Sequence, residues 1–320
     1  MKKVIAICLV GGIAIGGLAV AHNRLAPLPP AAVPGATAPA GTTTYSIVVG
    51  GVTRTYNLHV PPAGAATQAA PMPLLVELHG GGGNASGMEK LTGFFDIADR
   101  EGFVVAAPNA DGKSWNDGRV ALDTQSNTDD MAFLSAMLDQ IEGMTSIDSA
   151  RVYATGMSNG AMMTGRIACQ LSGRIAAVAQ VSGTAAVETA QACHPSRAMP
   201  LLEIHGTDDP LVPYAGGTVL PQLGDGRGDV IGVDAWASFW AANNGASGPA
   251  TTTLGSDTTV RTWHGAQPSS DVVFYRVESA GHTWPGGSQY LPKLIIGRTS
   301  DTFDASEVIW SFLSAHRLAR

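Results

Sequence analysis

One serine lies in sequence surroundings that could make its hydroxyl a nucleophile. Ser158 is the centre of GMSNG at residues 156–160, which follows an apolar segment at 151–154 and precedes a helix-forming segment. A Gly-x-Ser-x-Gly sequence between a strand and a helix is typical of a nucleophile elbow, because small residues two positions before and after the serine keep strand and helix from colliding. The pentapeptide also occurs in ordinary glycine-flanked turns. The interpretation of Ser158 as a nucleophile therefore depends on whether the chain also supplies a base and an acid.

A serine hydroxyl needs a base to take its proton and an acid to orient that base. The chain supplies both in the order Ser, Asp, His, each acid or base directly after a predicted strand. Asp209 follows the strand at 201–204, and His282 follows the strand at 272–277. His282 is favoured as the base because it alone among the eight histidines follows the final core strand. Asp209 is favoured over Asp208, which is expected to cap the turn or to face solvent.

Two other histidines, His79 and His205, each end an apolar strand immediately before a glycine. We expect them to bond backbone groups in a structural role. The remaining histidines outside the hairpin lie in the N-terminal stretch, in loops or in the last helix, where solvation is the simpler interpretation.

Acyl transfer also needs two backbone N–H donors that bind an oxyanion. The first is expected from Asn159, directly after the serine. The second is expected from the loop at 78–84, which contains four consecutive glycines and can bring its amides close to a ligand. The alternative is a flexible surface turn. A phosphate-binding loop is excluded because no Gly-Lys-Ser/Thr follows the glycines.

The elements that position these residues alternate along the chain. Residues 44–49 and 52–60, joined by two glycines, predict an antiparallel hairpin. Continuous apolar runs predict parallel strands buried on both faces; they lie at 73–78, 102–107, 151–154, 176–181, 200–204 and 272–277. Helices are predicted at 130–142, 159–171 and 233–243, with a last helix capped by Asp304. The result is a doubly wound, mostly parallel α/β sheet of about eight strands within one domain, residues 42–320.

The N-terminus predicts export. Two lysines, an apolar run at 4–20 and small residues around Ala21 indicate a signal peptide at 1–21 that is cleaved after Ala21. An uncleaved membrane anchor is the alternative. Residues 22–41 are rich in alanine and proline and predict an extended tether. With a net charge of −7 and no basic cluster, the chain is not expected to bind nucleic acid or anionic membranes. We therefore predict a secreted or periplasmic protein.

Two cysteines could form a disulfide, and a group of carboxylates could bind a metal ion. Removal of the signal would leave Cys169 and Cys193, an even pair that favours a disulfide in an exported protein, with two buried thiols as the alternative. Neither cysteine has metal-site spacing. Asp123, Asn127, Asp129 and Asp130 lack the glycine and terminal glutamate of a calcium loop. Capping of the following helix explains them more simply, so neither a metal nor another cofactor is predicted.

Several motifs together resemble one group of hydrolases. They lie at 79–84, 114–118, 156–160, 205–214, 281–287 and 310–312. The combination is similar to exported polyhydroxybutyrate depolymerase-like and feruloyl esterase-like esterases with the α/β-hydrolase fold, and it covers roughly residues 44–320. The resemblance implies that Ser158 is the nucleophile, Asp209 the acid and His282 the base. It implies Gly81 as the second oxyanion donor, because some members have cysteine at that position. Relatives also often pair cysteines near Cys169 and Cys193.

The resemblance implies a serine esterase that acts on short, aromatic or hydroxyalkanoate esters without a cofactor. Trp115 and Trp284 are candidate walls of an aromatic-friendly pocket, with a core role as the alternative. Residues 212–232 are a candidate lid or rim. No polymer-binding segment follows residue 320, and no contiguous apolar segment is left over, so soluble esters are favoured over solid polymer. The alternatives are a catalytically silent polymer- or carbohydrate-binding protein on the same fold, or a peptidase or lipase. The sequence does not predict the oligomeric state.

Overall fold

A mixed sheet of ten strands forms the centre of the molecule in a computed structural model, which describes residues 37–62, 71–119, 128–223, 226–267 and 270–319. The strands in chain order are β1 (Gly41–Val49), β2 (Val52–Val60), β3 (Met72–Leu78), β4 (Val104–Pro108), β5 (Ile147–Met157), β6 (Ala177–Val181), β7 (Leu201–Gly206), β8 (Gly217–Thr218), β9 (Asp229–Val230), β10 (Ser247–Leu254), β11 (Thr258–His264) and β12 (Val272–Val277). The helices are α1 (Ala85–Thr92), α2 (Phe94–Glu101), α3 (Asp130–Met144), α4 (Asn159–Gln170), α5 (Val187–Gln191), α6 (Val233–Asn243), α7 (Lys293–Ile296) and α8 (Ala305–Ser314).

The strand order explains how the loops meet. It runs β1-β2-β4-β3-β5-β6-β7-β12-β11-β10, and β8 pairs only with β9. Strands β4, β3, β5, β6, β7 and β12 are parallel to one another, whereas β1–β2 and β10–β11–β12 are antiparallel. The α/β-hydrolase-like sheet with its N-terminal hairpin is therefore confirmed. Because carboxyl ends of parallel strands share one edge, the loops after β3, β5, β7 and β12 open on the same side.

Alternate residues of the central strands pack into separate cores on the two faces of the sheet. Leu74 and Val76 of β3 contact the core under α3, α4 and α6, while Leu75 faces the core under α1, α2 and α8. Side chains of a strand alternate between faces, so a strand covered on both sides must be apolar throughout. This is why the central strands appear in the sequence as continuous apolar runs.

The strand count differs from the expected eight because β10 and β11 were not predicted. Every residue of β10 is exposed, and its sequence SGPATTTL contains glycine and proline. Such a segment carries neither the alternation nor the buried run that marks a strand. Its pairing with β11, which pairs in turn with β12, extends the sheet at the edge beyond the final core strand.

The helix N-caps and the disulfide agree with the predictions from the sequence. Asp129 accepts from the Ala132 amide at the start of α3, and Asp304 accepts from the Ser306 and Glu307 amides at the start of α8. Cys169, at the end of α4, is bonded to Cys193 after α5. The predicted disulfide is thus present in the fold.

The predicted signal peptide and most of the predicted tether lie outside the described residues. Within the part of the chain that the structure describes, no helix has the length and apolar character needed to cross a membrane.

Candidate active site

Ser158 sits at the sharp turn between β5 and α4. Its backbone has φ 58° and ψ −123°, a conformation that a non-glycine residue rarely adopts. A Cβ on Gly156 would come within 2.5 Å of the Gly160 backbone, and a Cβ on Gly160 within 2.2 Å of the Leu78 carbonyl oxygen. Both glycines are therefore required for strand, turn and helix to pack this closely. Ser158 Oγ has no hydrogen-bond partner among the described residues, and Ser158 lines the cavity described below.

His282 and Asp209 form a close pair on the loops after β12 and β7. These strands are parallel neighbours, with Val277 opposite Gly206, so the two loops begin side by side. His282 Nδ1 lies 2.7 Å from Asp209 Oδ2, and both side chains are buried. A carboxylate only accepts, so Nδ1 carries the proton in this pair and Nε2 is left free to accept one.

Asp209 is held as an anion by the groups around it. Its Oδ1 accepts from the Leu211 and Val212 amides at 2.8 Å each. Burial alone would raise the pKa of Asp209, but its electrostatic attraction to the His282 imidazole and hydrogen bonds from His205 and His282 hold the pKa well below its usual range. The Asp208 side chain is exposed, and among the described residues its carboxylate accepts a hydrogen bond only from Thr207 Oγ1.

A second histidine lies behind Asp209. His205 Nε2 is 3.1 Å from the Val212 carbonyl oxygen and 3.4 Å from Asp209 Oδ2, and its Nδ1 is 3.4 Å from Glu203 Oε1. Burial disfavours the charged imidazole, yet the Asp209 and Glu203 carboxyls raise the pKa of His205, while burial raises the pKa of Glu203. The expected backbone contact of His205 is present. Its contact with Asp209 was not foreseen, because spacing alone does not show that the side chain turns back towards residue 209.

The glycine-rich loop after β3 lies against the elbow. A Cβ on Gly80 would be 3.3 Å from Ser158 Cβ, and one on Gly81 would be 3.2 Å from Ser114 Oγ. The Gly82 amide donates to Lys113 O and the Gly83 amide to Gly80 O. Within the described residues no acceptor is found for the Gly81 amide.

His79 fixes the loop from behind and is structural, as the sequence predicted. Its Nδ1 donates to Gly80 O, and its Nε2 accepts from the Ala110 amide. Burial lowers the pKa of His79, which favours this neutral form.

The side chain of Asn159 connects the elbow to the loop after β4. Its Nδ2 donates to Trp115 O and to Asp117 Oδ2, and its Oδ1 accepts from the Trp115 amide. Asp117 in turn pairs with Arg119, and all these groups are buried. Asn159 is also the first residue of α4, where backbone amides have no intrahelical acceptor. Apart from the family-like stretch at 114–118, no sequence signal pointed to this network.

One cavity of about 620 Å³ brings the predicted residues together. Ser158, His282, Gly81 and Asn159 line it. The candidate rim also contributes: Val212, Val219, Leu220 and Arg227 lie in its wall.

The two tryptophans predicted as pocket walls do not line this cavity. Trp115 is fully buried and donates its indole N–H to His79 O. Trp284 packs edge-on against Phe94 in the core and donates to Ser306. Each takes the core role that the sequence left as the alternative, because each indole finds its polar partner inside the fold.

The described carboxylates that the sequence offered as calcium ligands each bond to other groups of the protein. Asp129 caps α3, and Asp130 pairs with Arg54 at 2.7 Å and accepts from the Asn116 amide. Asp123 and Asn127 lie outside the described residues. Among the residues that are described, no group of three or more His, Cys, Asp or Glu side chains is placed to hold a metal.

The sheet, the elbow serine and the His–Asp pair at its carboxyl edge define a serine hydrolase of the α/β-hydrolase class. Residues 54–217 match the family model described as Esterase PHB depolymerase. The chain belongs to this family and is a carboxylic ester hydrolase.

Known proteins place the chain among esterases. The protein named "Putative esterase NocK" of Nocardia uniformis subsp. tsuyamanensis is 31% identical over 287 residues, covering 86% of this chain and 83% of that protein. Feruloyl esterase B of Piromyces equi is 33% identical over 184 residues, 55% of this chain and only 33% of that protein. The acetyl xylan esterase structure from Aspergillus awamori has a TM-score of 0.55 at 16% identity, covering 75% of this chain and 94% of that one, and so supports the fold alone.

Proposed function

We propose that this esterase uses Ser158 as nucleophile, His282 as general base and acid, and Asp209 as the carboxylate that orients His282. The observation that carries the proposal is the 2.7 Å contact between His282 Nδ1 and Asp209 Oδ2 at a cavity that Ser158 also lines. His282 Nε2 takes the proton from Ser158 as the hydroxyl attacks the ester carbonyl. The imidazolium is stabilised by Asp209 and then gives the proton to the leaving alcohol. Water hydrolyses the acyl-enzyme by the same steps in reverse order.

The amides of Gly81 and Asn159 are proposed to bind the oxyanion of each tetrahedral intermediate. The Gly81 amide is without an acceptor in the described part of the chain, and the Asn159 amide is at a helix N-terminus, where the helix dipole favours negative charge. The Asn159 side chain bonds Trp115 and Asp117, which supports a fixed orientation for that amide.

The substrates are proposed to be soluble esters with short, aromatic or hydroxyalkanoate acyl groups. A cavity of about 620 Å³ is of the size that accommodates small molecules. Similarity to a feruloyl esterase and membership of the PHB depolymerase family support aromatic and hydroxyalkanoate acyl groups respectively.

We also propose that the protein is exported and that residues 42–320 form its single catalytic domain. The lysines and apolar run at the N-terminus support a signal peptide. The bond between Cys169 and Cys193 supports an oxidising compartment.

Covalent labelling tests the nucleophile. Ser158→Ala should abolish both hydrolysis of 4-nitrophenyl butyrate and labelling by a fluorophosphonate, measured by intact-protein mass. Loss of a triad member typically lowers the rate by several orders of magnitude. Ser238→Ala, on the exposed side of α6, is the matched control and should behave like the wild type. Labelling that survives in Ser158→Ala would place the nucleophile elsewhere.

A further inference from the structure

The cavity at Ser158 has an apolar interior and a cationic mouth. Met88, Met157, Met162, Val212 and Val219 line it and are each at most 5% exposed. Lys90, Lys113, Arg119 and Arg227 also line it, and the two lysines are exposed. Ester hydrolysis itself requires the triad and the oxyanion donors, so these four cations are not explained by the reaction.

The charge of the lining contrasts with that of the chain. Acidic residues outnumber lysine and arginine 26 to 19 in the sequence, yet no Asp or Glu is among the described residues that line the cavity. Arg119 is neutralised by its ion pair with Asp117. For Lys90, Lys113 and Arg227, no ion pair is found within the described ranges, so none of these three positive charges is paired with a described carboxylate.

The three cations come from different elements that converge on one opening. Lys90 belongs to the last turn of α1, and Lys113 to the loop after β4, where its carbonyl accepts from Gly82. Arg227 lies between β8 and β9, where its carbonyl accepts from Arg119 Nη1 at 2.7 Å. These backbone bonds fix two of the three positions relative to the glycine-rich loop and the rim. Like charges gathered at an apolar cleft focus the field on a ligand of opposite charge.

We propose that the preferred substrates are esters whose apolar chain ends in a carboxylate, which Lys90, Lys113 and Arg227 bind at the mouth while the chain fills the interior. This inference rests on the proposed function, because it concerns the same cavity. The apolar walls accept the methylene chain, and the cations attract a charge that the solvent still reaches at the opening.

Paired substrates test the inference. The 4-nitrophenyl monoesters of adipic and suberic acid are compared with the isosteric esters that carry a terminal carboxamide instead of the carboxylate, and Ser158→Ala protein supplies the background rate. At low ionic strength kcat/KM should favour the carboxylate by about fivefold or more at one of the chain lengths, since several exposed charges act together. The preference should fall in 0.5 M salt, where the Debye length shortens to about 4 Å. An equal or reversed preference at both lengths overturns the proposal.

Two double variants test whether the cations at the mouth of the cavity bind the substrate carboxylate. Lys113→Gln combined with Arg227→Gln should lower the carboxylate-to-carboxamide ratio markedly towards one, because of the three cations only Lys90 remains. Lys293→Gln combined with Arg317→Gln removes the same charge at exposed positions outside the cavity lining and should keep the wild-type ratio. If the two double variants change the ratio equally, net charge rather than a site at the mouth is responsible, and the proposal fails.

Binding separates this inference from the proposed catalytic role. Calorimetry on Ser158→Ala protein measures the affinity for the 4-nitroanilide analogues of the same two adipate esters, whose amide bond resists ester hydrolysis whichever residue is the nucleophile. Tighter binding of the carboxylate supports the inference even if the nucleophile is assigned wrongly, whereas equal binding rejects it even if Ser158 is the nucleophile.

Discussion

Two aspartates that are neighbours in the chain have opposite surroundings, and their surroundings predict opposite effects on catalysis. Asp209 is buried between His282 and two backbone amides, whereas Asp208 is exposed. Asp209→Asn should lower kcat by about four orders of magnitude, because the amide favours the wrong imidazole tautomer. Asp208→Asn should change kcat little and serves as the matched control. Steady-state kinetics on 4-nitrophenyl butyrate measure both variants, and the reverse ranking would contradict the assignment.

His205 is expected to position Asp209 and to place a positive charge beside the His282–Asp209 pair. His205→Leu removes the Nε2 donor that lies 3.4 Å from Asp209 Oδ2 and 3.1 Å from the Val212 carbonyl. We expect a kcat about tenfold lower with KM little changed, since the loss is in the orientation of the base. The neighbouring carboxyls raise the pKa of His205 and so favour its cationic form. Its removal should therefore take away a positive charge beside the His282–Asp209 pair and move the acid limb of the kcat profile to higher pH.

The glutamine variant separates orientation from charge. His205→Gln keeps a donor near the Val212 carbonyl but carries no charge, so it should restore most of kcat while retaining the shifted acid limb. A wild-type pH profile in His205→Leu would mean that the residue only supports the fold.

The triad candidates could be predicted from the sequence because each is tied to a strand end. The elbow motif identified Ser158, and the order of the strands identified Asp209 and His282. The contacts of His205 and Asn159 could not be predicted, since they depend on side-chain directions across loops that are distant in sequence. Trp115 and Trp284 show the same limit: an aromatic residue near a motif can equally face the core.

Among the elements, the disulfide joins the end of α4 to the segment before β7. Replacing both cysteines by serine should lower the free energy of unfolding by about 3 kcal/mol, the loop-closure value for a separation of 24 residues. Neither cysteine lines the cavity, so kcat/KM of the folded variant should match that of the wild type. Urea unfolding and ester kinetics measure the two quantities, and the reduced wild type is the control. An unchanged unfolding midpoint would contradict a stabilising role.

The central strands could be predicted from the sequence and the edge strands β10 and β11 could not, because only the central strands are buried on both faces. Burial on both faces requires continuous apolar runs, and these mark β3 to β7 and β12 in the sequence. The exposed threonines of β10 satisfy their backbone bonds through β11 without burying side chains. The hydropathy of these threonines therefore does not predict that they form a strand paired with β11.

At the scale of the whole molecule, the surface carries an exposed apolar segment, whereas the sequence analysis expected none. Tyr290, Leu291, Leu294 and Ile295 are exposed together, with Leu294 97% exposed. Tyr290 and Leu291 also line the cavity, and the Tyr290 hydroxyl donates to His282 O. The absence of an apolar surface is thus no longer an argument against solid polymer, and the preference for soluble esters stays a prediction.

Glu77 should make the free energy of unfolding fall as the pH rises, because its buried carboxyl keeps a proton that the unfolded chain loses. Glu77 is fully buried on β3, where Thr92 Oγ1 donates to its Oε2 and no partner for its Oε1 is found in the described part of the chain. Burial raises the pKa of Glu77 to about 8 from an ordinary value of 4.5. Between these two values the folded state holds one proton more than the unfolded state, so each pH unit lowers the free energy of unfolding by about 1.4 kcal/mol.

Glu77→Gln should remove this dependence, because the amide oxygen still accepts from Thr92 and no charge forms at any pH. The variant should be as stable as the wild type near pH 5, where the folded wild type keeps its proton, and clearly more stable at pH 8. Urea unfolding of both proteins from pH 5 to 8 measures the difference, in which the other titrating groups cancel. Glu188→Gln, at an exposed position on α5, is the control and should follow the wild type throughout. A difference between wild type and Glu77→Gln that is constant across this range would mean that Glu77 does not titrate there.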